Sequence, residues 1–292
     1  MKILDYSKYC LFLSVVLVVA SIFAIAVFGL KPGIEFTGGS ILGVEYAKER
    51  PSLEFVRGRL AGMDVGLVSA QEAGEQGIIL RMRDLSEKQH QAVLTVLGSD
   101  AREVRFESIG PVIGKELRGK SLILLMLVLG AITLYVMFAF RKMRQPVHPF
   151  RWSLAALVAL LHDILIPLGA LAVLGAMYGE QITIPVVVAL LTVAGYSVND
   201  TVVIFDRIRE NFLKKTGTDF ADTVRKGLEQ TLVRSVNTSL TTLLVVLAIV
   251  FFGGETLRLF ALTLAIGMGA GVWSSLFVAP FVLTRKGKFG LI

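Results

Sequence analysis

Apolar residues fall into six long runs, Cys10–Leu30, Ser121–Phe140, Trp152–Tyr178, Ile182–Phe205, Leu232–Phe252 and Leu257–Leu283. Each is near the ~20 residues that a helix rising ~1.5 Å per residue needs to cross ~30 Å of hydrocarbon. The pattern predicts six transmembrane helices. Ala24-Ile25-Ala26 resembles a signal-peptide cleavage site, which leaves removal of the first run as an alternative. That run is longer than the ~7–15 apolar residues of a usual signal.

Between the first two runs the pattern changes to that of a water-soluble domain. Ile41–Ala47 alternates as a strand, and Ser52–Leu60 places Leu53, Val56 and Leu60 on one helical face. Val65–Ala73 and Gly77–Leu85 read as strands joined through Gly74-Glu75-Gln76. Ser86 is placed to cap a helix with His90, Val93, Leu94 and Leu97 on its apolar side, ended by Gly98; Ala101–Ile109 alternates again. The order β-α-β-β-α-β is that of a ferredoxin-like α+β domain. The expected organisation is 1–30 for a short terminus and helix one, 31–119 for the α+β domain, 120–284 for helices two to six with a cytoplasmic loop at 206–231, and a tail of 285–292.

Between the fourth and fifth runs, Gly217 interrupts the chain and Thr218 or Asp219 is placed to cap a new helix. Phe220, Val224 and Leu228 form one apolar stripe, which predicts a short helix lying at the membrane surface, packing more than binding.

Charge sets the orientation. Lys2 and Lys8 precede run one, and Arg141, Lys142, Arg144 and Arg151 separate runs two and three. Arg207, Arg209, Lys214, Lys215, Arg225 and Lys226 lie between four and five; Arg285, Lys286 and Lys288 follow six, whereas the opposite short loops offer only Arg258. By the positive-inside rule both termini are cytoplasmic and 31–119 is outside. Charged residues are 18% of 292 and apolar ones 54%, against about 25% charged in a soluble chain. The net charge of +7 is spread over the ends of apolar runs and makes no nucleic-acid patch. Cys10 is the only cysteine and the three histidines are scattered, so no disulfide or metal-ligand spacing exists. With no phosphate-binding G-x-x-x-x-G-K-[ST] loop, nothing here points to an enzyme or to a cofactor.

What remains unusual is polar material inside the runs. An Asp or Arg at the centre of a membrane helix costs roughly 2.5–3.5 kcal/mol on insertion scales and needs a partner or a watery cavity. Run four holds Tyr196, Ser197, Asn199, Asp200 and Thr201, with Tyr196, Asp200 and Arg207 on one face. Run five holds Arg234, Thr238, Thr241 and Thr242; run three holds His162 and Asp163. Asp200 and Arg234 are expected to meet as a buried acid and base. The alternatives are Asp200 capping a helix break at Ser197–Asn199, Arg234 reaching back to the cytoplasmic surface, and His162-Asp163 acting as an interhelical contact rather than an ion path. Gly267, Gly269, Gly271, Ser274 and Ser275 in run six read as small residues permitting close packing.

The sixteen residues from Gly195 to Glu210, GYSVNDTVVIFDRIRE, resemble the fourth-span signature of the SecD/SecF family, on its SecF side. Pro32-Gly33-Ile34-Glu35-Phe36-Thr37-Gly38-Gly39 resembles the segment that follows its first span, with Glu35 where Asp is more usual. Arg234–Thr242 resembles its fifth span, with Ser235 where Thr is common, and Leu161-His162-Asp163 fits the third. The resemblance runs through essentially the whole chain, in order.

That resemblance implies half of a pseudosymmetric twelve-span unit of the resistance-nodulation-division superfamily, completed by SecD in the bacterial inner membrane. It implies work beside the SecYEG channel and the SecA motor, with a YajC-like small subunit possible, helping preproteins outward at the expense of a proton or sodium gradient. It maps the coupling acid onto Asp200 and its basic partner onto Arg234. His162, Asp163, Tyr196, Asn199, Thr238 and Thr241 are supporting polar residues, and Gly33, Phe36, Gly38 and Gly39 form a hinge motif. A non-transporting scaffold and half of a small-molecule exporter are the competing readings.

Overall fold

A computed structural model describes residues 7–66, 68–143 and 147–285. The expected basic residues Lys2, Arg144, Lys286 and Lys288, Leu67 of the expected second strand, and the tail beyond Arg285 lie outside the described residues. The chain divides into two compact units, Pro32–Ile123 and the helical remainder.

In the first unit a single helical turn precedes the sheet. Chain order there is α2 (Ile34–Thr37), β1 (Gly39–Tyr46), α3 (Leu53–Leu60), β2 (Ser69–Ala73), β3 (Gly77–Met82), α4 (Glu87–Leu97) and β4 (Ala101–Ile109), α1 being Ser7–Phe28 in the helical unit. The sheet order is β2-β3-β1-β4, every pair antiparallel, the expected ferredoxin-like topology. Register follows the apolar alternation: Leu42 opposes Leu80 and Val44 opposes Ile78, so one face of the sheet is apolar. Val56 and Leu60 of α3 and Val93 and Leu97 of α4 close over that face. Ser52 accepts from the Phe55 amide, and Ser86 and Gln89 form a capping box, so both helices start where the polar signals put them. β2 starts at Ser69 rather than Val65, because Val65 is withdrawn into the core and its carbonyl accepts from the Arg83 amide.

The Gly38-Gly39 pair has a steric reason. Gly38 lies at φ 77°, ψ 160° and Gly39 at φ 134°, regions closed to other residues. A Cβ on Gly38 would lie 2.6 Å from Cα of Pro111, and one on Gly39 would lie 2.7 Å from the Met82 carbonyl. Gly33 caps α2, Phe36 is buried, and Thr37 Oγ donates to the Gly33 carbonyl at 3.0 Å.

The helical unit is built from α1, the apolar part of α5 (Pro111–Ala139), α6 (Pro149–Tyr178), α7 (Ile184–Leu213), α8 (Phe220–Phe252), α9 (Glu255–Trp273) and α10 (Ala279–Thr284). A π-helical stretch, Ser274–Val278, joins the last two. Six helical segments are long and apolar enough to cross a membrane, the sixth running from α9 into α10. Half or more of the most apolar window is buried in α6, α7 and α9–α10, and under a fifth in α1, α5 and α8. Helices approach closely where side chains are small: a Cβ on Gly169 would meet Ser21, one on Gly267 would meet Val193, and one on Gly227 would meet Ile208. Trp152 stacks on Phe140, and Phe205 packs edge-on to both.

Two boundaries correct the sequence reading. α5 starts at Pro111, ten residues before its apolar run, because Pro suits a helix start and Gly114 and Gly119, which follow, do not end it. The surface helix expected at Phe220–Leu228 is instead the first part of α8, continuous to Phe252. Glu229, Gln230 and Thr231 do not break it, and Thr231 Oγ bonds back to the Gly227 carbonyl. Asp219 caps it by accepting from the Asp222 amide at 2.7 Å.

Candidate functional site

Periodicity decides which polar side chains of the membrane helices turn inward. On α8 the buried positions include Gly227, Thr231, Ser235 and Ser239, a stripe of four-residue steps. On α7 they include Ser197, Asp200, Thr201 and Ile204. α7 is unbroken through Ser197–Asn199, so Asp200 is an interior residue and caps no break.

Asp200 is 4% exposed, and its Oδ2 accepts from Ser239 Oγ at 2.9 Å. Tyr196, one turn away, donates from its hydroxyl to the Thr238 carbonyl at 3.1 Å, with Ser239 Oγ and Thr242 Oγ1 within 3.5 Å. These contacts tie α7 to α8. Thr201 Oγ1 and Ser235 Oγ are buried without a hydrogen-bond partner.

Arg234 does not meet Asp200. It precedes Ser235 by one residue, a rotation of ~100° around the helix, and its side chain is exposed without an ion pair among the described residues. The stripe that faces α7 is Ser235–Ser239, and Arg234 lies to one side of it. Asn199 is also exposed. Thr238 and Thr241 are exposed, and their hydroxyls return to backbone carbonyls of their own helix.

A second polar centre lies between α6, α7 and the π stretch. Asp163 has 0% exposure; its Oδ2 accepts from Ser197 Oγ at 2.5 Å and from Ser274 Oγ at 2.7 Å. His162 Nδ1 is 2.8 Å from Asp163 Oδ1, and its Nε2 is buried without a partner. Among the described residues no group of three or more His, Cys, Asp or Glu is placed to hold a metal.

Sequence reasoning missed Ser239 and the ligand role of Ser274. Ser239 had a signal, since it falls four residues from Ser235 and eight from Thr231 on one stripe. Ser274 had none beyond being small and polar.

Two family models match, the protein export membrane protein SecD/SecF C-terminal model over residues 89–288 and the SecD/SecF GG motif over 23–49. The chain is 38% identical to the protein translocase subunit SecF of Thermobaculum terrenum, with 93% of this chain and 89% of that protein covered. It is 36% identical to that of Vibrio alginolyticus, with 97% and 88% covered. A crystal structure of SecDF from Thermus thermophilus, described as a translocon-associated membrane protein, is similar at 30% identity and a TM-score of 0.83. The alignment covers 97% of this chain and 38% of that one.

Proposed function

The chain belongs to the SecD/SecF family of protein export membrane proteins, and from that premise we propose that it is the SecF-like subunit of a bacterial Sec translocase, converting an ion gradient into outward pull on preproteins. The observation that carries the reading is Asp200, a carboxyl buried within the helices with a single hydroxyl for company. A low-dielectric setting favours the neutral carboxyl and a nearby guanidinium the charged one. A site that can gain or lose such a neighbour therefore binds and releases a proton as the helices shift. One charge crossing 100 mV releases about 2.3 kcal/mol, on the scale of a conformational bias.

Arg234 supplies the movable neighbour. It stands on the exposed face of α8, the same helix whose Ser239 holds Asp200. It is the third residue of the apolar run Leu232–Phe252, and an exposed Arg inside a membrane helix needs a partner, which a SecD half covering α8 and α5 supplies by completing a twelve-span unit. SecD, the SecYEG channel, the SecA motor and a YajC-like subunit are the proposed partners. The bacterial inner membrane is the proposed location, with both termini cytoplasmic. The role is that of a non-enzymatic subunit.

The test is export of a preprotein into inverted inner-membrane vesicles, with and without an ionophore. Asp200→Asn is expected to remove the gradient-dependent part while the protein still inserts and binds SecD. Full gradient dependence in that variant would leave the scaffold reading in its place.

A further inference from the structure

Asp163 has no solvent exposure and three partners from two other segments and its own neighbour: Ser197 of α7, Ser274 of the π stretch, and His162. Its partners are separate from the Ser239 that holds Asp200. A buried carboxylate is costly unless its charge is balanced, and no Lys or Arg pairs with it among the described residues. The ionisable side chains on the elements packed against α6 stand elsewhere. Lys8, Tyr9 and Cys10 begin α1, Arg258 begins α9, and Arg285 follows α10 and has its carbonyl bonded to Arg151. On α7, Tyr196 and Asp200 turn to α8, and Asp206 to Glu210 pair among themselves. Charge balance therefore falls on His162.

The imidazole has one engaged nitrogen and one idle one. Nδ1 faces Asp163 Oδ1, while Nε2 is buried without any partner and the whole residue is 4% exposed. With the carboxylate charged and Nδ1 protonated, a bare Nε2 leaves the pair at one negative charge. Forming the Nε2–H bond with an incoming proton gives imidazolium and carboxylate, net neutral; breaking it returns the proton and restores the negative charge. Two hydroxyls already donate to Oδ2, and among the described residues no group of three or more His, Cys, Asp or Glu is placed to hold a metal, so the chemistry of the pair suits a bare proton.

We propose that His162 and Asp163 form a second proton-binding site, loaded and emptied at His162 Nε2, whose carboxylate clamps α7 and the π stretch through Ser197 and Ser274. Single π-helical turns recur at functional sites, and this one begins at the serine that donates to Asp163. A Cβ on Gly271 would lie 3.4 Å from Cβ of Ser197 and 3.5 Å from Asp163 Oδ2, so α9 packs directly beside the clamp. Ser197 sits three residues from Asp200 on α7, so a turn of that helix strains both sites together.

The proposal deepens the ion-coupling reading and rests on it, yet its test does not use export. The chain has three histidines, His90, His148 and His162. In the full chain, labelled with ¹⁵N-histidine and held in lipid nanodiscs, the His162 ring signals are identified by their loss in His162→Gln. Across the pH range in which the chain stays folded they are expected to pass between the neutral-imidazole and imidazolium patterns, and Asp163→Asn is expected to move the midpoint of that change. Should Asp163→Asn not accumulate, Ser197→Ala combined with Ser274→Ala must move the same midpoint. Ring signals constant across that range, or a midpoint unmoved by these changes, would overturn the proposal. Intact gradient dependence in Asp200→Asn would instead overturn the coupling reading and leave the His162 titration standing.

Discussion

Replacing Gly38 by alanine tests whether the Gly-Gly motif is a steric requirement of the α+β unit. The backbone there, at φ 77° and ψ 160°, is essentially glycine-only and costs another residue of order 1–3 kcal/mol. The new Cβ would lie 2.6 Å from Cα and 2.9 Å from N of Pro111. These are backbone atoms at the start of α5, which cannot rotate away, and overpacking of that kind costs typically ~1–3 kcal/mol. The expected loss is roughly 2–6 kcal/mol of local stability. Two controls separate the contributions. Gly74, at φ 62° with open space around it, carries backbone strain alone; Gly62 has neither positive φ nor a neighbour within 4 Å. Hydrogen exchange read by mass spectrometry on the full chain in nanodiscs gives the answer, in peptides covering β1 and the first turns of α5. Since about 1.4 kcal/mol is a factor of ten, Gly38→Ala should speed exchange there by roughly 30-fold or more. Gly74→Ala should act only near its own turn, and Gly62→Ala hardly at all. Exchange in Gly38→Ala equal to that in Gly62→Ala would refute the reasoning.

Other outcomes follow from the same geometry. Gly267→Ala sets a Cβ 2.4 Å from Cγ2 of Val193 and should cost about 1–3 kcal/mol; Val193→Ala should restore much of it, seen as non-additive thermal stabilities in nanodiscs. Ser274→Ala removes one donor from the buried Asp163 carboxylate and should cost roughly 1–3 kcal/mol, whereas Ser275→Ala, whose hydroxyl bonds the Val272 carbonyl of its own helix, should cost less by the same assay. In the α+β unit the Glu87 carboxyl is held below the usual range, first by a hydrogen bond from Gln91 and then by His90. Its stabilisation is present above the ordinary carboxylate pKa and lost as pH falls through the lowered one. Gln91→Leu should raise the Glu87 midpoint in a carboxylate NMR titration, and an unchanged midpoint would contradict the assignment.

The α+β unit was legible almost residue by residue, because its signals are local. Alternation through Ile41–Ala47 and Ala101–Ile109 sets two strands, and Ser52, Ser86 and Gly98 mark helix ends. The membrane helices were legible as lengths of apolar chain, but their ends were not, since a helix that leaves the bilayer continues until something stops it. Gly114 and Gly119 in the polar start of α5 do not stop it, and the junction at Glu229–Thr231 holds no Gly or Pro. The site was legible in part. Asp200 and Asp163 stand out as charges in apolar runs, but what each touches depends on helix rotation. A one-residue step separates Ser235, which faces α7, from Arg234, which does not. Pairing by depth alone brings Arg234 to Asp200; the rotation of α8 brings Ser239.

Ion flux tests the central claim most directly. The chain and its SecD partner, reconstituted in liposomes with a pH-sensitive dye trapped inside, should carry protons down an imposed gradient. Asp200→Asn should reduce that flux to the level of empty liposomes, while Val188→Ala, on the exposed side of the same helix, should leave it unchanged. Flux through Asp200→Asn equal to wild type would contradict the account.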